Sequence, residues 1–113
     1  MGLEAFNGGG EAVQEINLEE LISKLDKSDR EKLLSGYNLR NLAKIFEDGE
    51  TMVTVDSFLK HGLNISDSAR HLYMHRNTLM YRLNKIRSDT GLDLRNFGMA
   101  VTFKILYILY KMK

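Results

Sequence analysis

Polar side chains recur along one side of the segment from residue 76 to residue 88. At about 100° per residue, Asn77, Tyr81 and Asn84 share one face of a helix, and Thr78 borders that face. Amide and hydroxyl groups near the start of an exposed helix can pair with base edges in a DNA major groove. Arg76 stands at the border of the face, where it could reach a guanine. The residues predicted to read bases are Arg76, Asn77, Thr78, Tyr81 and Asn84.

Basic groups surround this predicted reading face. Residues 60–87 contain six lysines or arginines and one acid, whereas residues 1–59 contain six basic and twelve acidic residues. The net charge of +1 therefore conceals a basic middle, which is the electrostatic footprint of a nucleic-acid site. The spacing of the polar residues alone favours an ordinary solvent-exposed helix face without a ligand. The charge distribution favours a DNA-binding face instead. The side chains predicted to contact phosphates are Arg70, His75, Arg82, Lys85 and Arg87.

Two short helices joined by a tight turn are predicted to position these groups. The first is predicted to be capped by Ser66 and to run to about Leu72. A break at residues 73–75 follows, and a second helix, capped by His75, continues to about Ser88 before a Thr-Gly stop. This arrangement is a helix-turn-helix, in which the second helix lies in the major groove.

The apolar positions of the two helices define their inward face. Residues at helical spacing in each segment place the apolar side chains together. Close crossing of two short helices requires a small residue, and Ala69 is placed to provide it. The residues predicted to form the core of the motif are Ile65, Ala69, Leu72, Met74, Leu79, Leu83 and Ile86.

The same segment carries two runs that are typical of one protein family. Residues 75–83 read His-Arg-Asn-Thr-Leu-x-Tyr-Arg-Leu, and residues 90–94 read Thr-Gly-Leu-Asp-Leu. With these runs, the chain closely resembles the C-terminal helix-turn-helix domain of PucR/CdaR-type bacterial transcriptional regulators over roughly residues 51–112. The resemblance implies an all-helical DNA-binding domain, with sensory domains normally upstream. Nothing before residue 51 has the pattern of such a sensor, so we expect either a fragment or a reduced member.

The other segments are also predicted to be helical, which gives an all-α fold of about six or seven helices. The predicted organisation is a flexible tail at residues 1–16, an acidic helical segment at 17–49 and the helix-turn-helix DNA-binding domain at 50–113. Ser28 is predicted to open a capping box in the acidic segment. Residues 50–60 would tolerate a strand, but Met52, Val55 and Phe58 keep a helical period, so a supporting helix is predicted.

The last helix is predicted to be unusually apolar. Asn96 should cap it, and twelve of the sixteen residues from Phe97 to Met112 are apolar, which requires burial on more than one face. A membrane span would need about 20 apolar residues, so none is predicted. The helix is predicted to be a central core element or to present one face to a second copy in a homodimer, with Tyr107 and Tyr110 as candidates.

The remaining motifs do not indicate an enzyme, a cofactor or a metal site. His71 and His75 have the spacing of metal ligands on a helix, but the predicted turn separates them and no Glu or Cys completes a site. No nucleophile is paired with a base, the glycines at residues 8–10 lack the other residues of a phosphate loop, and no small-molecule site is evident. The lack of cysteine fits a cytoplasmic protein. The alternative function is a helical protein-interaction module whose basic face meets an acidic protein.

Overall fold

The computed structural model describes residues 12–113, which fold into seven α-helices joined by short turns. In chain order they are α1 (Leu18–Ser23), α2 (Lys27–Ser35), α3 (Leu39–Phe46), α4 (Gly49–Lys60), α5 (Ile65–His71), α6 (Arg76–Thr90) and α7 (Phe97–Lys111). The predicted all-α class is confirmed, and the segment at residues 50–60 is helical, as predicted, rather than a strand. The tail predicted at residues 1–16 falls mostly outside the described residues.

A side chain that accepts a backbone N–H bond starts each of these helices. Asn or Asp fills the N-cap position of α1 to α5 and of α7, and His75 fills it in α6. Such an acceptor satisfies one of the N–H groups that a first helical turn leaves without a partner, and it contributes about 1 kcal/mol. The predicted caps His75 and Asn96 are confirmed.

Two predicted helix starts are wrong, and both place the cap two residues too late. α5 is capped by Asn64 rather than Ser66, because the Asn64 side chain accepts the N–H of the third helical residue at 2.9 Å. α2 is capped in the same way by Asp26 rather than Ser28, at 2.8 Å. Each serine is instead a residue of the first helical turn.

One continuous apolar core joins the helices. Phe58 of α4, Leu79 and Leu83 of α6 and Phe103 of α7 lie at its centre and are fully buried. α6 packs on α3 and α5, whereas α7 packs on α1 and α2. The acidic N-terminal helices α1 and α2 therefore help to enclose the same core. Burial of each large side chain stabilises the fold by roughly 1.5–3 kcal/mol. No helix in residues 12–113 has the length and apolar content needed to span a bilayer.

Phe46, at the end of α3, meets three aromatic rings of α7. Its ring centroid lies 5.2 Å from those of Phe103 and Tyr107 and 5.3 Å from that of Tyr110. The Tyr110 hydroxyl also donates a hydrogen bond of 2.5 Å to the Glu47 carboxylate, and this bond raises the pKa of Tyr110. The two tyrosines that were candidates for a dimer surface therefore pack within the chain.

Candidate nucleic-acid interface

Helices α5 and α6 pack on each other. Ala69 on α5 is only 4% exposed and belongs to the same apolar core as the buried side chains of α6. On α6, the inward face consists of Leu79, Leu83 and Ile86, all of which are buried. Three further residues of the predicted motif core are half-buried at its rim: Ile65, Leu72 and Met74. The structure thus brings these seven predicted residues to one side of the two helices.

The turn between α5 and α6 leaves Tyr73 outside the fold. Its backbone φ is 53°, in the left-handed region, and the residue is 97% exposed. That conformation costs a residue with a Cβ roughly 1–2 kcal/mol, and glycine would avoid the cost. Many helix-turn-helix motifs have a glycine in this turn, and Tyr73 departs from that pattern. Its exposure near the start of α6 adds an aromatic ring to the surface around the predicted reading face.

The start of α6 presents hydrogen-bond donors to solvent. The Nδ1 atom of His75 accepts the Asn77 N–H at 3.0 Å. A ring nitrogen that accepts carries no proton, so neutral His75 holds its proton on Nε2 and can donate it to another group. The N-terminal end of a helix dipole also favours an anion. This end of α6 can therefore meet a phosphate.

The outer face of α6 is open to solvent. All five residues predicted to read bases are exposed, and Tyr81 is 68% exposed. Within residues 12–113, none of these five side chains forms a hydrogen bond or an ion pair with the rest of the chain. Their amide, hydroxyl and guanidinium groups are therefore available to another molecule.

Exposed cations lie on both sides of this face. By helical angle, Arg87 lies on one flank and Lys85 on the other. The Lys85 ammonium is 3.5 Å from Asp89, and the Arg70 guanidinium of α5 is 3.0 Å from Asp67. Surface ion pairs of this kind contribute about 0–1 kcal/mol, so a phosphate can replace either carboxylate at little cost.

Arg82 differs from the other residues predicted to contact phosphates. Its Nη1 donates to Thr54 Oγ1 at 2.8 Å, and its Nη2 donates to Glu50 Oε1 at 2.6 Å. The Arg82 side chain is only 26% exposed. Sequence spacing could not reveal these bonds, because the two partners lie 28 and 32 residues away along the chain.

Local bonds hold the connection from α6 to α7. Gly91 ends α6 with a φ of 81°, a conformation that glycine adopts without strain. Leu92 and Leu94 are buried and anchor the connection in the core. The Arg95 side chain donates to the Asp93 carboxylate at 2.8 Å, and this hydrogen bond lowers the pKa of Asp93.

The two histidines considered as a metal pair lie in different environments. The His71 ring lies against His61 of the α4 end, with 4.7 Å between ring centroids. His75 caps α6 instead. No group of three potential ligands occurs among the described residues.

A helix-turn-helix with an open polar face indicates nucleic-acid binding, and comparison with known proteins decides the family. The family model of the PucR C-terminal helix-turn-helix domain matches residues 51–107, half of the chain. The chain belongs to the PucR family of helix-turn-helix domains. It is therefore a DNA-binding domain of a transcriptional regulator, as its sequence resemblance implied.

Two curated regulators share the PucR-type sequence. The carbohydrate diacid regulator of Escherichia coli K12 is 39% identical over 59 residues, which are 52% of this chain and 15% of that protein. The purine catabolism regulatory protein of Bacillus subtilis is 35% identical over 81 residues, which are 71% of this chain and 15% of that protein. The chain thus spans about 15% of the length of each regulator.

A solved structure extends the similarity to the helices that precede residue 51. The regulator of polyketide synthase expression from Bifidobacterium adolescentis matches with a TM-score of 0.60 and 29% sequence identity. The match covers 84% of this chain and 37% of that chain. Since the PucR family model covers only half of the chain, the structural match also includes residues outside that model.

Proposed function

We propose that this PucR-type domain reads duplex DNA by placing α6 in the major groove. The observation that carries the proposal is the outer face of α6, where the predicted reading side chains are exposed and form no hydrogen bond or ion pair within residues 12–113. Asn77 and Asn84 can each accept and donate to an adenine edge, and Arg76 can bond a guanine. The hydroxyls of Thr78 and Tyr81 can bond base edges beside them. In a bacterium this binding takes place in the cytoplasm, and the role is binding rather than catalysis.

The phosphate contacts that fix the position of α6 come from both flanks and from its N-terminus. Backbone contacts of this kind position a protein without carrying sequence information. The proposed phosphate ligands are Arg70, His75, Lys85 and Arg87. Arg82 is left out of this set because Glu50 and Thr54 hold its guanidinium.

Selection of duplexes from a random pool tests the proposed function. The full chain should enrich one base pattern, and its affinity for the enriched duplex should fall steeply as salt rises, since cations replace counterions on the phosphates. A chain that enriches no pattern and binds no duplex at low salt would refute DNA reading. That result would favour the alternative, a helical protein-interaction module.

We also propose that the domain pairs as a homodimer through α7, because helix-turn-helix regulators commonly read two half-sites as dimers. A different side of α7 from the one that meets Phe46 lies along α2 and forms a groove of about 180 Å³ with largely apolar walls. Its lining residues are Leu33, Tyr37, Thr102, Ile105, Leu106 and Leu109. Leu33→Glu places a charge on an exposed position of this groove. Sedimentation should then show a monomer, and equal masses for parent and variant would contradict this interface.

A further inference from the structure

Two side chains near the start of α4 hold the guanidinium of Arg82. Besides accepting from Arg82 at 2.8 Å, the Thr54 hydroxyl donates to the Glu50 carbonyl oxygen at 3.1 Å. Thr54 is 1% exposed, so water cannot readily replace these bonds. The Glu50 carboxylate accepts the second Arg82 donor at 2.6 Å. Loss of the Thr54 hydroxyl would therefore leave a half-buried donor of Arg82 without its partner.

These bonds fix an orientation that apolar packing leaves adjustable. Burial of Leu79 and Leu83 keeps one side of α6 inward, but the hydrophobic effect has no preferred direction. Hydrogen bonds that a planar guanidinium donates do have preferred directions. Arg82 lies near the middle of α6 and directly follows Tyr81. A rotation of α6 about its own axis would therefore move the predicted reading face and break the Arg82 bonds together.

The same contacts oppose a phosphate at Arg82. The exposed Glu50 carboxylate lies beside the guanidinium, so an approaching phosphate would meet a negative charge. We propose that Arg82 is a positioning residue that fixes the rotation of α6 against α4, and is not a phosphate ligand. This inference rests on the proposed reading of DNA by α6.

The test uses the full chain and two probes: the duplex that the parent enriches from a random pool, and an unrelated duplex of equal length. Thr54→Val removes the buried acceptor without a change of charge and with almost the same shape. The double variant Glu50→Gln/Arg82→Gln removes the ion pair and keeps the net charge. Lys85→Ala serves as the matched loss of a proposed phosphate ligand on the same helix. Circular dichroism establishes that each variant is folded before binding is measured.

We expect Thr54→Val and the double variant each to lower affinity for the enriched duplex by roughly tenfold, comparable to the loss of one base contact. Their affinity for the unrelated duplex, and its salt dependence, should match those of the parent. Lys85→Ala should weaken both complexes and reduce the slope of log affinity against log salt by about one.

Two results would overturn the inference. In the first, Thr54→Val binds both duplexes like the parent, while the double variant loses about one unit from the slope of log affinity against log salt. Such a loss of slope is the behaviour of a phosphate ligand. The other is an equal loss of affinity for both duplexes in both variants, which is the behaviour of general destabilisation. A parent chain that binds neither duplex would instead refute the proposed function, and the positioning role with it.

Discussion

Helices α6 and α7 have the same length and opposite surroundings. Each spans fifteen residues. α6 buries three residues along one side and leaves a polar side uncovered, whereas α7 buries five and packs more of its apolar side chains against neighbours. A helix that is apolar on nearly every side must be enclosed, and one with a single apolar side can remain open on the other.

This difference assigns the two helices different tasks. α7 supplies the apolar surface on which α1, α2 and the Phe46 end of α3 assemble. α3 then also supports α6, together with α5. The enclosed helix α7 therefore supports the helices that hold α6 in place. Substitutions should separate the structural role of α7 from the binding role of α6. Changes on α7 should affect unfolding, and changes on the outer side of α6 should affect DNA binding.

The largest expected effect is on α7. Phe103→Ala removes a fully buried ring that lies 5.2 Å from Phe46, and it should lower the free energy of unfolding by about 3–5 kcal/mol. Urea denaturation measures this change. Lys104→Ala, at the next and exposed position, should stay within about 0.5 kcal/mol of the parent. Equal stabilities for the two variants would show that α7 is not the central support.

The next effect is at the crossing that holds α6. Ala69→Leu inserts a larger side chain where Ala69 is 4% exposed, and the overpacking should cost about 1–3 kcal/mol of stability. Ser66→Leu adds the same side chain at an exposed position of α5 and should change stability much less. Thermal unfolding of both variants checks the comparison. An unchanged midpoint for Ala69→Leu would remove the close crossing.

A substitution on the exposed side of α6 should lower DNA affinity and leave stability unchanged. Asn77→Ala removes an exposed amide that has no partner among the described residues, so the free energy of unfolding should hardly change. Affinity for the duplex enriched by the parent should fall by about 1–3 kcal/mol, and preference at one base pair should relax. Filter binding to the enriched duplex and to variants of it measures both quantities. A stable variant with unaltered base preference would take Asn77 out of the reading face.

The sequence predicts much of this contrast because helical periodicity is a local property. The spacing of Leu79, Leu83 and Ile86 locates the inward face of α6, and the capping residues His75 and Asn96 locate two helix starts. The resemblance to the PucR family also depends on two short runs, residues 75–83 and 90–94. These features depend on residues a few positions apart, which a sequence displays directly.

Features that depend on distant residues could not be predicted in the same way. Arg82 has the charge of a phosphate ligand, and only folding brings it to Glu50 and Thr54. Tyr107 and Tyr110, the candidates for a dimer surface, are half-buried against Phe46 of α3, and sequence spacing does not show that contact. The wrong caps at Ser28 and Ser66 have a local cause, since an Asn or Asp stands two residues earlier in each case.

The smallest expected effect is at the connection between the two helices. Arg95 lowers the pKa of Asp93, so the ionised carboxylate is favoured in the folded chain. The resulting stability is present above the pKa of an unfolded Asp and is lost as pH falls through the lower pKa of the folded state. Because the pair is partly exposed, Asp93→Asn should cost at most about 1 kcal/mol at neutral pH. The difference from the parent should shrink toward pH ~3 in urea denaturation. If the difference in the free energy of unfolding stayed constant with pH, the loss would come from the hydrogen bonds of Asp93 rather than from its charge. The connection between α6 and α7 would then make no contribution to the pH dependence of stability.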